Sequence, residues 1–85
     1  MIIERSETFK RAYRALPHEI QERVKKTLLL FAENLRHPSL GNKKMEGAGD
    51  IWEFRVTQNY RVTYQRIPGG IFLRRIGTHD ILRHP

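Results

Sequence analysis

The sequence predicts a single α+β domain in which two antiparallel N-terminal helices pack on a mostly antiparallel β-sheet of four to five strands. Apolar residues recur at helical spacing in the first 35 residues, and they alternate with polar residues in the last 35. Turn-forming residues separate the alternating runs. With 85 residues there is room for one modest core, so we expect one domain spanning residues 1–85 in the order β-α-α-β-β-β-β.

The N-terminal third predicts a short strand followed by two helices. Residues 2–5 are apolar and then charged, which suits a first strand, and Ser6 is a good helix N-cap. Pro17 is badly tolerated inside a helix but well tolerated in the first turn of a new one, so it marks the start of the second helix. The apolar stripe of that second helix comprises Ile20, Val24, Leu28, Phe31 and Leu35.

The second half predicts the remaining strands. Helical periodicity ends before Pro38, because the residue before a proline is biased away from the helical conformation. A loop is expected at residues 39–42, and tight turns at Gln58-Asn59 and at Pro68-Gly69-Gly70. The strands predicted in this half cover residues 43–46, 51–57, 60–67 and 71–78.

The alternation in these strands also separates a core face from a polar face. Side chains two residues apart in a strand share a face. One parity carries the aromatic residues Trp52, Phe54, Tyr60 and Tyr64, which we interpret as core under the helices. The other parity places two arginines and a glutamate on one surface, near a histidine, a set that can hold a phosphate and transfer a proton. These residues are Glu53, Arg55, Arg61 and His79.

Composition narrows the classes of function. The net charge is +7, of which residues 36–85 contribute +5 (nine Lys/Arg against four Asp/Glu), so the predicted sheet half is the more basic one. A field of this sign favours nucleic acid or an acidic protein partner, although basic residues also serve solubility alone. The charged residues directly after Met1-Ile2-Ile3 and the lack of a long apolar run predict a cytoplasmic protein without a signal peptide or a membrane segment.

The sequence predicts no metal or other cofactor. There is no cysteine to form a thiolate site, and His18, His37, His79 and His84 show no spacing typical of a zinc site. The chain also contains no phosphate-binding loop motif.

Several segments, in order and over essentially the whole chain, resemble the RelE/ParE superfamily of bacterial type II toxins. The resemblance implies a RelE-like fold. It further implies membership of the branch of RelE, YafQ and YoeB, which are mRNA endoribonucleases (mRNA interferases), rather than of the ParE branch, which poisons DNA gyrase. The segments are Thr8–Ala12, Leu16-Pro17, Lys43–Gly47, Ile51–Val56, Tyr60–Tyr64 and Gly77–Asp80.

The resemblance also implies roles for individual residues. Arg61 corresponds to the arginine that contacts the scissile phosphate, and His79 to the catalytic histidine of YafQ-type and YoeB-type toxins. Arg55 matches a position at which relatives carry a cationic or imidazole group. Lys43 and Lys44 occupy the region of a further catalytic or RNA-binding residue, and Arg75 shares strand parity with His79 and can add charge for RNA.

The chemistry implied is cleavage of RNA without a metal, by attack of its own 2′-hydroxyl group. It needs a general acid, for which His79 is suited, and fixed positive charge, for which Arg61 and Arg55 are suited. The general base stays open. Glu53 can orient an arginine, which we rank above its acting as the base. A lysine at position 43 or 44 with a lowered pKa is the other candidate for the base, although phosphate attraction is the favoured role for both lysines.

The family implies partners as well: a cognate antitoxin, the ribosome with its mRNA, and operator DNA only indirectly, through the antitoxin. Two alternatives remain at this point, a ParE-like gyrase inhibitor and a decayed toxin that only binds its antitoxin. Many relatives carry a functional aromatic residue near the C-terminus, whereas this chain reads Leu82-Arg83-His84-Pro85 there, which keeps the second alternative open.

Overall fold

The computed structural model describes residues 1–34, 36–47 and 49–85. Within those residues, two helices and a five-stranded sheet follow the predicted order, which confirms the α+β class. No helix among them is long and apolar enough to span a membrane. The elements are β1 (Ile2–Arg5), α1 (Glu7–Arg14), α2 (His18–Glu33), β2 (Lys43–Lys44), β3 (Ile51–Arg55), β4 (Arg61–Ile67) and β5 (Gly70–Gly77), with short 3-10 turns at Pro38–Leu40 and His79–Arg83.

The strands lie side by side in the order β1-β5-β4-β3-β2. β2 to β5 form an antiparallel meander, whereas β1 runs parallel to β5 at the opposite edge. Gly70 makes the parallel contact possible, because a Cβ atom there would lie only 1.8 Å from the carbonyl oxygen of Ile2. The sheet thus joins the first strand of the chain to the last.

Local sequence explains where the helices begin. The Ser6 hydroxyl accepts a hydrogen bond from the Phe9 amide at 2.9 Å, which caps α1, and donates one to the Arg74 carbonyl oxygen at 2.6 Å, which ties that cap to β5. Pro17 precedes the first residue of α2, as its fixed φ predicts. Between the two helices, the Gln21 side-chain amide donates to the Tyr13 carbonyl oxygen at 2.9 Å.

The core lies between the helices and one face of the sheet. Phe31 of α2 contacts Phe54 and Tyr64, with ring centroids 5.0 and 5.2 Å apart. Along the predicted stripe of α2, Val24 and Phe31 are buried and Ile20 and Leu28 are half-buried, while Leu35 lies outside the described residues. The predicted aromatic core residues behave similarly: Phe54 and Tyr64 are buried, and Trp52 and Tyr60 are half-buried at the margin.

Some predicted boundaries were wrong. β3 ends at Arg55 rather than at residue 57. The Thr57 hydroxyl accepts hydrogen bonds from the backbone amides of Asn59 and Tyr60, which turns the chain there. The predicted strand at 43–46 shrinks to two residues. The predicted loop at 39–42 overlaps a 3-10 turn that buries Leu40, and the C-terminal turn at His79–Arg83 was not predicted.

Candidate nucleic-acid site on the sheet

The sheet face that points away from α1 and α2 carries the polar residues of the alternating strands. We call it the helix-free face and define it by Glu53, Arg55, Arg61, Thr63 and Arg75. Strand pairing arranges these residues in two rows. One row runs Lys43, Glu53, Thr63, Arg75 across β2 to β5, and the other runs Arg55, Arg61, Gly77 across β3 to β5.

Glu53 and Arg61 contact each other near the centre of this face. The Glu53 carboxylate lies 3.5 Å from an Arg61 guanidinium nitrogen, and Glu53 is only 4% exposed. The sequence suggested an exposed polar face, but both residues are more enclosed than that, since the Arg61 side chain is only 21% exposed. A carboxylate so enclosed requires a positive partner, so Glu53 holds the guanidinium in place.

Arg55 lies directly opposite Arg61 in the register of β3 and β4. Side chains in such a position are close neighbours on one face of the sheet. The Arg55 guanidinium extends toward the 3-10 turn at Pro38–Leu40 and donates to the Ser39 carbonyl oxygen at 3.5 Å. It remains exposed, so its charge is accessible from solvent.

His79 begins the C-terminal 3-10 turn, two residues after Gly77, which pairs with Arg61. Its side chain is exposed. In sequence, His79 thus follows the β5 member of the Arg55–Arg61 row by two residues.

The two lysines of β2 separate to opposite sides of the strand. Lys43 pairs with Glu53 and so belongs to the row on the helix-free face. Lys44 pairs with Trp52 on the other parity, and its ammonium group lies 3.7 Å from the Asp50 carboxylate. Of the two, Lys43 is the one that strand alternation places on the face with Arg61.

The C-terminal segment covers part of the helix-free face. The Thr63 hydroxyl donates to the Pro85 carbonyl oxygen at 3.1 Å, as does the Arg74 Nε atom. Arg75 donates to the His84 carbonyl oxygen at 2.9 Å. The side chains of Thr63 and Arg75 are therefore hydrogen-bonded to backbone oxygens of this segment.

Arg74 was not singled out from the sequence. A register shift between Thr63 and Tyr64 inserts an extra residue into β5, so that Arg74 and Arg75 both lie between the core residues Leu73 and Ile76. The pattern contained a sign of this, because Leu73 and Ile76 are three residues apart and break the alternation. A β-bulge is the usual cause of such a break.

The ionisable groups do not converge on a metal site. Among the described residues, no three His, Asp or Glu side chains come together in a way that could hold a metal ion. The chemistry available on this face is that of fixed positive charge and one enclosed carboxylate, with the His79 imidazole in the turn that follows β5.

No protein-family model and no curated protein matches the sequence. Solved structures do match. The RelB-RelE antitoxin-toxin complex from Methanococcus jannaschii contains a chain that superposes with a TM-score of 0.75 at 20% identity, over 95% of each chain. The chain has the RelE fold. YafQ from E. coli matches with a TM-score of 0.78 at 17% identity over 95% of this chain and 96% of that one, and the isolated E. coli RelE toxin with 0.69 at 24% identity over 91% and 82%. The RelE-like fold that the sequence predicted is thereby confirmed.

Proposed function

We propose that the chain is the toxin of a type II toxin–antitoxin pair and that it inhibits translation by cutting mRNA on the ribosome in the cytoplasm. The observation that carries the proposal is the row formed by Arg55 and Arg61, with Glu53 against Arg61 and His79 two residues beyond Gly77, the β5 member of that row. This arrangement stands on a RelE fold, the fold of toxins such as RelE and YafQ.

In the proposed reaction, the 2′-oxygen of a ribose attacks the adjacent phosphorus and the bond from phosphorus to the 5′-oxygen breaks. Arg61, with Arg55 beside it, stabilises the charge that develops on the phosphate oxygens. Protonated His79 donates its proton to the departing 5′-oxygen. The products are a 2′,3′-cyclic phosphate, or the 3′-phosphate from its opening, and a 5′-hydroxyl group.

The 2′-hydroxyl proton must also leave, and the residue that takes it is the open part of the proposal. The contact with Arg61 and the burial of Glu53 favour orientation of the guanidinium as its role. Lys43, which lies in the same row as Glu53, is then the better placed of the two lysines to accept the proton. Lys44 is engaged by Asp50.

An antitoxin is the proposed partner. The M. jannaschii toxin was solved as a RelB-RelE antitoxin-toxin complex, and the net charge of +7 on this chain suits an acidic protein segment. By the same resemblance, operator DNA is contacted only through the antitoxin.

The test is primer extension on a reporter mRNA after brief induction in bacterial cells, with the native chain and with His79→Gln. We expect codon-registered cuts within the translated region that disappear in the variant, since loss of a general acid costs about 10²–10⁴-fold in rate. His18→Gln is the matched control, because His18 is exposed at the start of α2, lies 3.8 Å from Glu22 and belongs neither to the helix-free face nor to the residues that line the neighbouring cavity.

Three results would contradict the proposal. Cuts that persist in His79→Gln would remove His79 from the mechanism. Intact mRNA with growth arrest would favour gyrase inhibition, and intact mRNA with normal growth would favour a toxin that only binds its antitoxin.

A further inference from the structure

A second group of positive charges lies beside the candidate site, around a cavity of about 630 Å³ at the end of β3. The wall from α2 contributes Arg23 and Lys26, three residues apart and so on one side of the helix. Arg55 closes the cavity from the sheet. The polar side chains of Ser39, Thr57 and Gln58 also line it.

These three cations have no acidic partner among the described residues. No carboxylate there lies within 4.0 Å of Arg23, Lys26 or Arg55. Their neighbour Lys25 differs, since it stands 3.4 Å from Glu22 on the same helix. Three unneutralised charges around one cavity favour an anionic ligand.

The floor of the cavity is apolar. It includes Leu40, which is 1% exposed, and Val56, which is 5% exposed. A ligand that fits this lining has a charged group for the cationic walls and a less polar part for the floor. A phosphate with its attached ribose has that character.

The edge of β3 explains how the cavity connects with the candidate site. β2 pairs only with Trp52 and Glu53, so it ends before reaching Arg55. The Arg55 side chain therefore extends along the edge to the Pro38–Leu40 turn and lies beside Gly41. A Cβ atom added at Gly41 would be 3.9 Å from the guanidinium carbon of Arg55. Arg55 thus belongs both to the row with Arg61 and to the wall of the cavity.

From this continuity we infer that the cavity formed by Arg23, Lys26 and Arg55 binds an RNA phosphate next to the one held by Arg61. The inference rests on the proposed function and extends it, since it assigns Arg23 and Lys26 as contacts for a neighbouring nucleotide. The cavity adds affinity for single-stranded RNA and sets the direction in which the strand leaves the site.

The test compares the double variant Arg23→Gln/Lys26→Gln with Arg11→Gln/Arg14→Gln. The control pair is exposed on α1, has the same three-residue spacing and removes the same charge, but does not line the cavity. The probe is a short single-stranded RNA with methylated 2′-hydroxyl groups, so that it cannot be cut by 2′-attack. Its dissociation constant is measured between about 50 and 200 mM salt.

We expect Arg23→Gln/Lys26→Gln to weaken binding about fivefold at low salt and to reduce the logarithmic salt slope by about 0.7, the value for one phosphate contact on a single strand. The control pair should leave the slope nearly unchanged. Equal effects of the two double variants would overturn the inference while leaving the proposed function intact.

Two further outcomes show whether the inference fails alone or together with the proposed function. If the native chain cuts mRNA but the cavity variant loses binding only to an acidic peptide such as polyglutamate, the cavity serves a protein partner and the inference fails alone. If the native chain neither binds the RNA probe nor cuts mRNA, the inference and the proposed function fail together.

Discussion

The Glu53 carboxylate lies 3.5 Å from the Arg61 guanidinium, and the two residues sit on neighbouring strands with Glu53 almost entirely enclosed. An enclosed charge without its partner is costly, so each residue depends on the other for its position. The pair makes the middle of the helix-free face a fixed feature of the fold rather than a set of mobile surface charges.

This pair gives a test that separates orientation from proton abstraction. Glu53→Gln removes the negative charge but keeps the size of the side chain. We expect slower RNA cleavage with the acidic limb of the pH–rate profile retained, because an orienting group does not itself exchange a proton in the reaction. Glu46→Gln, at an exposed position, should leave the profile unchanged. Disappearance of the acidic limb in Glu53→Gln would identify Glu53 as the general base.

Thr63→Val tests how the C-terminal segment is held on the sheet. The substitution keeps the shape of a fully buried side chain and removes the hydroxyl that donates to the Pro85 carbonyl oxygen at 3.1 Å. We expect the free energy of unfolding to fall by about 1 kcal/mol. Hydrogen exchange should become faster over residues 79–85 and stay unchanged elsewhere. In the control Thr27→Val, the lost hydrogen bond is to Arg23 within α2, so exchange at 79–85 should not change. Faster exchange throughout the sheet would argue against a local role.

Gly70→Ala should separate β1 from the sheet. The added Cβ atom would lie 1.8 Å from the Ile2 carbonyl oxygen, a backbone atom that cannot move without breaking the strand pairing. The loss in the free energy of unfolding should exceed about 3 kcal/mol, as a severe steric conflict in a well-packed region requires. Gly47→Ala is the control, because a Cβ atom there would meet no other atom within 4 Å. Its free energy of unfolding should fall only by about 1 kcal/mol, the cost of a positive φ, here 72°, for a residue with a side chain. Chemical denaturation of both variants gives the comparison, and similar losses would contradict the proposed clash.

Tyr64 predicts a specific dependence of stability on pH. Burial raises the pKa of its phenol, an effect that Arg66 and the hydrogen bond to Asn42 only partly oppose. The unfolded phenol therefore ionises at a lower pH than the folded one. Its contribution to stability is complete below the ordinary pKa of 10.0 and is lost as pH rises above it.

Tyr64→Phe isolates this contribution. Near neutral pH the variant should be less stable by about 1 kcal/mol, since the hydroxyl no longer donates to the Asn42 side chain. Above about pH 10 the difference in stability between the native chain and the variant should shrink, because only the native chain loses stability when this phenol ionises. Denaturant midpoints for both proteins across that range provide the measurement. A difference that stays constant with pH would mean that the phenol has the same pKa folded and unfolded.

The sequence was informative where the pattern was regular. Alternation placed Phe54 and Tyr64 in the core and put Glu53 and Arg61 on the opposite face, because a strand repeats every two residues. The Gln58-Asn59 turn was placed correctly between β3 and β4, but a two-residue turn would set Arg55 opposite Val62. The longer connection that the Thr57 hydroxyl stabilises shifts the register by one residue and sets Arg55 opposite Arg61.

What the sequence did not predict depends on contacts between distant residues. The return of residues 79–85 over the sheet is held by Thr63 and Arg74, and no periodicity records such a contact. The burial of Glu53 is a similar case, since its neighbours come from other strands. The cavity beside Arg55 requires α2 and the end of β3 to meet, which only the tertiary fold determines.

The parallel pairing of β1 with β5 determines when the sheet can be completed during synthesis. The first strand leaves the ribosome early, but its partner, Gly70–Gly77, is made only after α1, α2 and the other strands. Contacts so distant in sequence form late, because the intervening chain must first be ordered. A growing chain can form α1 and α2 but has neither a finished sheet nor the Arg55–Arg61 row in its final surroundings. The order of translation therefore delays the assembly of the proposed toxin until β5 has been made.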